Sequence, residues 1–208
     1  MGDILFFGFE TIAAAVPSAV ILAIRRLTQN GKETARGGSK IIPATIFAFY
    51  IIGVFHFTGL VTVYELLREP AAFRPESINL LPFSNDIDPN AYLLNVFMLI
   101  PLGILAPYLC EKARSLPAVL LLGAGFSLFI ELTQLLNERR TDIDDLILNT
   151  LGAAIGYALY KMLDRLTDKK LRRNVLTIPG MCIVTLALFA GRFLLYNEMG
   201  LAHRVYGF

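Results

Sequence analysis

The chain has 208 residues, of which 55% are hydrophobic and only 17% are charged, whereas an ordinary soluble domain carries about 25% charged residues. A mean hydropathy of +0.59 agrees with this excess of apolar residues and excludes an ordinary soluble domain. The formal net charge of +2 does not indicate a nucleic acid partner, and we predict none. The composition instead indicates a membrane protein.

Six apolar runs of roughly 17 to 24 residues follow one another, each long enough to cross about 30 Å of hydrocarbon as a helix. They are Ile4–Ile24, Ile41–Tyr64, Ala91–Cys110, Leu116–Leu136, Leu146–Leu163 and Thr177–Tyr196. No segment alternates with strand period, and helices satisfy their own backbone hydrogen bonds in lipid. We therefore predict an all-α, polytopic bundle of about six transmembrane helices. Residues 1–40 would hold the first helix and a basic loop, 41–163 a four-helix membrane domain, and 164–208 a basic linker and the last helix.

Basic residues concentrate in alternate connections, those after the first, third and fifth predicted spans. These three connections hold 13 of the 19 lysines and arginines. Because cytoplasmic loops carry an excess of Lys and Arg, both termini are predicted to be extracytoplasmic. The connections after the second and fourth spans would then also lie on the extracytoplasmic side.

The connection between the second and third predicted spans, Glu65–Asn90, contains four prolines and an apolar patch, Ile78–Phe83. Prolines and Asn/Asp clusters argue against a continuous helix, while the apolar patch argues against a freely solvated loop. We expect an extracytoplasmic re-entrant or lid-like segment, with an ordinary loop that touches lipid as the alternative.

Polar residues cluster between Glu131 and Asn149, where two apolar spans meet. Glu131 and Gln134 share one face of the fourth span with Gly123 and Ser127, and Asp145 and Asn149 share one face of the fifth with a GxxxG pattern, Gly152–Gly156. Small residues at that spacing allow helix backbones to approach closely in lipid. Asn95 should lie at a comparable depth in the third span. Because polar groups that face lipid are costly, we predict that these stripes face each other or a shared cavity.

The partners of these groups remain open at this point. Glu131 could pair with Arg139 or Arg140 from the connecting loop, either to fix helix packing or as part of a ligand site. Asp142, Asp144 and Asp145 could bind a hard cation, but the glycine and distal glutamate of an EF-hand loop are missing. We predict no metal and no cofactor. Asp144 or Asp145 is expected to cap the fifth helix.

Two further ionisable residues, Glu10 and His56, lie inside predicted spans. Glu10 could extend toward the membrane surface or join the same cavity. His56 is expected to form a hydrogen bond to a neighbouring helix, with a proton relay as the alternative.

The pattern of polar motifs resembles the VanZ-like family of bacterial membrane proteins over roughly residues 45–163. The motifs are Asn79-Leu-Leu-Pro-Phe83, Asn95-Val-Phe-Met-Leu-Ile-Pro-Leu-Gly103, Glu131-Leu-Thr-Gln134 with Arg140, and Asp142-Ile-Asp-Asp-Leu-Ile-Leu-Asn149-Thr-Leu-Gly152. The resemblance implies a plasma-membrane protein, and founding members of the family are linked to resistance against teicoplanin-type lipoglycopeptides. The family's recurrent polar positions match Asn95, Glu131, Gln134, Arg140, Asp142, Asp144, Asp145 and Asn149.

Several functions agree with this pattern. The first is recognition of a lipid-linked cell-wall precursor, or of the lipoglycopeptide itself, in an outward-facing polar pocket. Its predicted ligand-binding residues are Asn79, Asn95, Glu131, Gln134, Arg139, Arg140, Asp142, Asp144, Asp145 and Asn149. The second is an enzyme acting on a lipid-linked substrate, with Glu131 as acid or base and Asp142 or Asp145 as its counterpart. A small transporter or a scaffold protein is the third possibility.

Overall fold

The computed structural model describes residues 2–28, 38–68, 78–84, 88–137, 141–167 and 174–206, and most of them are helical. The helices are α1 Gly2–Thr28, α2 Gly38–Thr58, α3 Val63–Arg68, α4 Pro89–Leu109, α5 Leu116–Gln134, α6 Ile143–Leu166, α7 Ile178–Leu195 and α8 Glu198–Tyr206. Two short strands, β1 Ile78–Asn79 and β2 Thr141–Asp142, pair in parallel. The prediction of an all-α polytopic membrane protein is confirmed.

Five helical segments in the described ranges are long and apolar enough to cross a membrane. They are Ile42–Arg68, Pro89–Leu109, Leu116–Gln134, Ile143–Leu166 and Ile178–Leu195. They correspond to the last five predicted spans. The first predicted span lies in α1, whose apolar segment Ile4–Ala19 is shorter than the other five.

The second span differs from the continuous helix that its composition predicts, because the chain turns between α2 and α3. Gly59 has a φ of 59°, in the left-handed region that glycine adopts without steric cost. The amides of Gly59 and Leu60 donate to the carbonyls of His56 and Phe55. This pair of hydrogen bonds is the Schellman arrangement that ends a helix at a glycine.

The described helices fall into two compact units. The first unit comprises Met1–Pro70 and Met181–Phe208, and the second comprises Ala71–Gly180. The first unit therefore contains α1, α2, α3 and α8 with most of α7, whereas α4, α5 and α6 with both strands belong to the second.

A buried charge pair lies in the core of the first unit. Arg192 of α7 donates through Nε to Oε1 of Glu10, 2.5 Å away, and the other carboxylate oxygen lies 2.6 Å from Nδ1 of His56. Arg192 also donates to the carbonyl of Leu60 at the turn after α2. Glu10 is thus held by partners within its own unit, and His56 bonds a neighbouring helix as expected.

Tyr196, just beyond the end of α7, packs against the buried charge pair. Its ring lies 5.5 Å from the Arg192 guanidinium carbon, a distance at which a cation interacts with an aromatic face.

In the second unit, glycines bring α4 and α6 into backbone contact. A Cβ on Gly152 would lie 2.0 Å from the carbonyl oxygen of Val96, and one on Gly156 would lie 2.1 Å from that of Ile100. Residue numbers rise together along both contacts, so α4 and α6 run parallel. The GxxxG pattern of α6 thus packs against α4, a partner that its spacing alone could not identify.

Candidate functional site

The two short strands bring distant parts of the chain to one end of the second unit. Asn79 of β1 pairs in register with Asp142 of β2, and its side-chain Nδ2 donates to both carboxylate oxygens of Asp142 at 3.2 and 3.1 Å. Each strand precedes one of the parallel helices, β1 before α4 and β2 before α6. The pairing therefore joins the segments that lead into α4 and α6.

Asp142 also begins α6. It occupies the N-cap position with extended backbone angles, and its Oδ1 accepts from the amide of Asp144 at 3.1 Å. A side-chain oxygen at this position satisfies one of the free N–H groups of the first turn. The expectation that Asp144 or Asp145 caps this helix is therefore wrong, because the capping residue is Asp142, two positions before Asp144, although both aspartates lie in the first turn as expected.

Asp144 is buried and connects three segments. One oxygen accepts from the amide of Phe83 at 2.8 Å, and the other accepts from the hydroxyl of Tyr92 at 2.5 Å. Sequence reasoning missed Tyr92. Its position three residues before Asn95, on the same face of α4, is the signal that could have identified it.

Asp145 connects α6 to α4 through Asn95. The side-chain Nδ2 of Asn95 donates to Oδ1 of Asp145. Both residues are half-buried. The contact lies one helical turn from Asn149 and agrees with the depth at which the sequence placed Asn95.

Glu131 and Asn149 lie deeper, where α5 meets α6. Glu131 is 3% exposed and Asn149 is 1% exposed. Asn149 donates through Nδ2 to the hydroxyl of Ser127, 2.9 Å away. Among the described residues, Oε2 of Glu131 and Oδ1 of Asn149 have no hydrogen-bond partner. Leaving a buried acceptor unpaired costs about 1–3 kcal/mol, so these two atoms are the least satisfied groups of the site.

Carboxylates are concentrated at this end of the unit. Glu131 lies within electrostatic range of Asp145 and Asp142, and carboxylates repel each other strongly where water is scarce. The hydroxyl of Thr141 donates to the backbone carbonyl of Glu131 at 3.3 Å, which holds β2 against the end of α5. A hydrogen-bond donor or a positively charged group would be stabilised beside these carboxylates.

Three predicted site residues remain to be placed. Gln134 is half-buried at the last position of α5. Arg139 and Arg140 lie outside the described residues, and so does the predicted pairing of either with Glu131. We define the polar cluster as the residues that hydrogen bonds or electrostatic proximity bring together, namely Asn79, Tyr92, Asn95, Ser127, Glu131, Asp142, Asp144, Asp145 and Asn149.

The three candidate catalytic carboxylates, Glu131, Asp142 and Asp145, differ in their hydrogen-bond partners. Asp142 caps α6 and holds Asn79, and Asp145 accepts from Asn95. Glu131 keeps one oxygen without a described partner. In the described ranges, no three or more His, Cys, Asp or Glu side chains are grouped so that they could hold a metal ion.

Comparison with known proteins identifies the family to which the chain belongs. A family model described as VanZ/LLP1 matches residues 47–164, more than half of the chain. The chain belongs to the VanZ family. It is also 28% identical over 155 residues to Protein VanZ of Enterococcus faecium, an alignment that covers 72% of this chain and 93% of that protein. No solved structure matches the chain.

The VanZ match contains every residue of the polar cluster. Glu10 and Arg192, the buried pair of the first unit, lie outside it. The cluster that joins α4, α5 and α6 therefore lies entirely within the family region.

Proposed function

We propose that this VanZ-family membrane protein protects bacteria against glycopeptide antibiotics, teicoplanin in particular, through recognition by the polar cluster. The recognised molecule is a lipid-linked cell-wall precursor or the lipoglycopeptide. The proposal places the chain in the plasma membrane with both termini and the polar cluster on the extracytoplasmic side, in agreement with the distribution of its basic residues.

One observation carries the proposal. The polar cluster pairs Asn79, Asp142 and Asp144 thoroughly but leaves Oε2 of Glu131 and Oδ1 of Asn149 without a partner in the described part of the chain. Oδ1 of Asn149 is an acceptor, and both oxygens of Glu131 are acceptors when its carboxyl is ionised. A ligand that offers hydroxyl, amide or ammonium donors would satisfy them, and cell-wall precursors and lipoglycopeptides carry such groups.

The supporting argument is energetic. A cluster that only stabilised helix packing would gain by replacing unpaired buried acceptors with apolar groups, because the penalty for each is about 1–3 kcal/mol. Polar groups inside membrane segments persist mainly where they are paired or used. The polar cluster contains both kinds, since Asp144 is paired through both oxygens, whereas Oε2 of Glu131 has no partner among the described residues.

The proposal can be tested by expressing the chain in a susceptible bacterium and measuring the inhibitory concentration of teicoplanin. We expect the parent to raise this concentration and Glu131→Gln to lose the protection, because an amide replaces one acceptor oxygen by a donor. Glu111→Gln is the matched control, since Glu111 is exposed in the turn that joins α4 to α5.

Equal membrane levels of the three proteins must be shown by immunoblot. If Glu131→Gln protects as well as the parent at equal levels, the polar cluster does not recognise the ligand. If the parent itself gives no protection, the proposed link to teicoplanin is wrong for this chain.

A further inference from the structure

A short apolar loop, Leu80–Phe83, follows β1 and exposes its large side chains. Leu80 and Leu81 are each 70% exposed and Phe83 is 52% exposed. Contiguous exposed apolar side chains mark surfaces that contact a partner or a membrane. The loop is directly joined to Asn79 of the polar cluster.

Hydrogen bonds hold this loop in one conformation. Oδ1 of Asn79 accepts from the amide of Leu81 and from the hydroxyl of Ser84, both at 3.1 Å. The Ser84 hydroxyl also lies 2.7 Å from the carbonyl of Leu81. The amide and the carbonyl of Leu81 are therefore both satisfied by neighbouring side chains, while the side chain of Leu81 stays exposed.

The backbone conformation of Phe83 is a second indication that the loop has a function. Its φ of 54° lies in the left-handed region, which is unfavourable for a residue with a side chain. The amide of Phe83 donates to the buried Asp144 at 2.8 Å, and this contact holds the residue there. Strained conformations of this kind cluster at functional sites.

The loop packs beside the start of α4, a helix that also exposes a large apolar face. The ring of Phe83 packs edge-on against Tyr92, with centroids 6.1 Å apart, and the next residues of α4 expose Leu93, Leu94 and Phe97. Because α4 is a membrane-crossing helix, an exposed apolar face on it is a face for acyl chains. The contact of Phe83 with Tyr92 places the exposed loop beside this end of the helix.

We propose that Leu80, Leu81 and Phe83 insert among the acyl chains of the leaflet that borders the polar cluster. The partner of this surface is thus the hydrocarbon of the bilayer. The insertion attaches one strand of the cluster to the membrane. A ligand held in the leaflet by its own acyl chain would meet Asn79 and Asp142 without leaving the lipid.

The chain contains no tryptophan, so a single introduced tryptophan reports on one position. Leu81→Trp reports on the loop, Leu94→Trp on the exposed face of α4, and Lys112→Trp on an exposed position in the turn between α4 and α5. Each protein is reconstituted into phosphatidylcholine vesicles whose acyl chains carry bromine, which quenches fluorescence on contact.

We expect Leu81→Trp to emit at shorter wavelength than Lys112→Trp and to be quenched to an extent comparable with Leu94→Trp. Quenching no greater than that of Lys112→Trp would overturn the proposal. Short-wavelength emission without quenching would also overturn it, because protein would then cover the loop. Leu80→Trp repeats the measurement if Leu81→Trp does not fold. No antibiotic or precursor is present, so this result is independent of the proposed recognition function.

Discussion

Replacing Gly152 by alanine tests the close contact of α4 and α6 on which the polar cluster depends. The new Cβ would lie 2.0 Å from the carbonyl oxygen of Val96, whereas ordinary contact begins at 3.4 Å. The neighbouring atom is backbone and cannot rotate away, so the two helices must separate locally by about 1.4 Å. Val96 adjoins Asn95, and this separation would stretch the hydrogen bond from Asn95 to Asp145.

The size of the effect follows from two opposing terms. Overpacking of a closely packed interface costs about 1–3 kcal/mol, while alanine gains up to about 1 kcal/mol over glycine in helix propensity. Gly125→Ala is the matched control, because Gly125 lies in α5 with nothing within 4 Å of the position of a Cβ. Both variants gain the propensity term, so the free energies of unfolding of the two variants should differ by the overpacking cost of about 1–3 kcal/mol.

The measurement is reversible unfolding in mild detergent, followed by circular dichroism in increasing denaturant. We expect Gly152→Ala to unfold at lower denaturant concentration than Gly125→Ala. If Gly152→Ala and Gly125→Ala unfold together, α4 and α6 are not in backbone contact at this level, and the argument is wrong.

Two further predictions concern charged side chains. Arg192→Met leaves the Glu10 carboxylate buried without its guanidinium partner and should lower the free energy of unfolding by about 3–5 kcal/mol. Adding Glu10→Gln to this variant should recover much of the loss. If Arg192→Met unfolds at the same denaturant concentration as the parent, the pair does not stabilise the protein. Asp142→Ala removes the cap of α6 and should cost about 0.5–2 kcal/mol, whereas Asp142→Asn keeps an acceptor oxygen and should cost less, as the same denaturation measurement can check.

Much of the architecture follows from local patterns in the chain. Apolar runs of membrane-crossing length identify five helices that the structure contains, because helix formation in lipid depends on composition over about 20 residues. The helical period likewise placed Ser127, Glu131 and Asn149 on inward faces, and all three are buried. These properties belong to single segments and need no knowledge of their neighbours.

The local sequence does not predict which side chains and helices contact one another, because these contacts depend on how the helices rotate and pack. The sequence alone could not show that Gly152 meets α4, that Tyr92 donates to Asp144, or that Asp142 begins α6. The pairing of Glu10 with Arg192 joins residues 182 positions apart. The sequence by itself determined which groups are polar, buried and near one end of a helix; the tertiary structure decided which of them satisfy each other, since a hydrogen bond requires atoms to meet within a few tenths of an ångström.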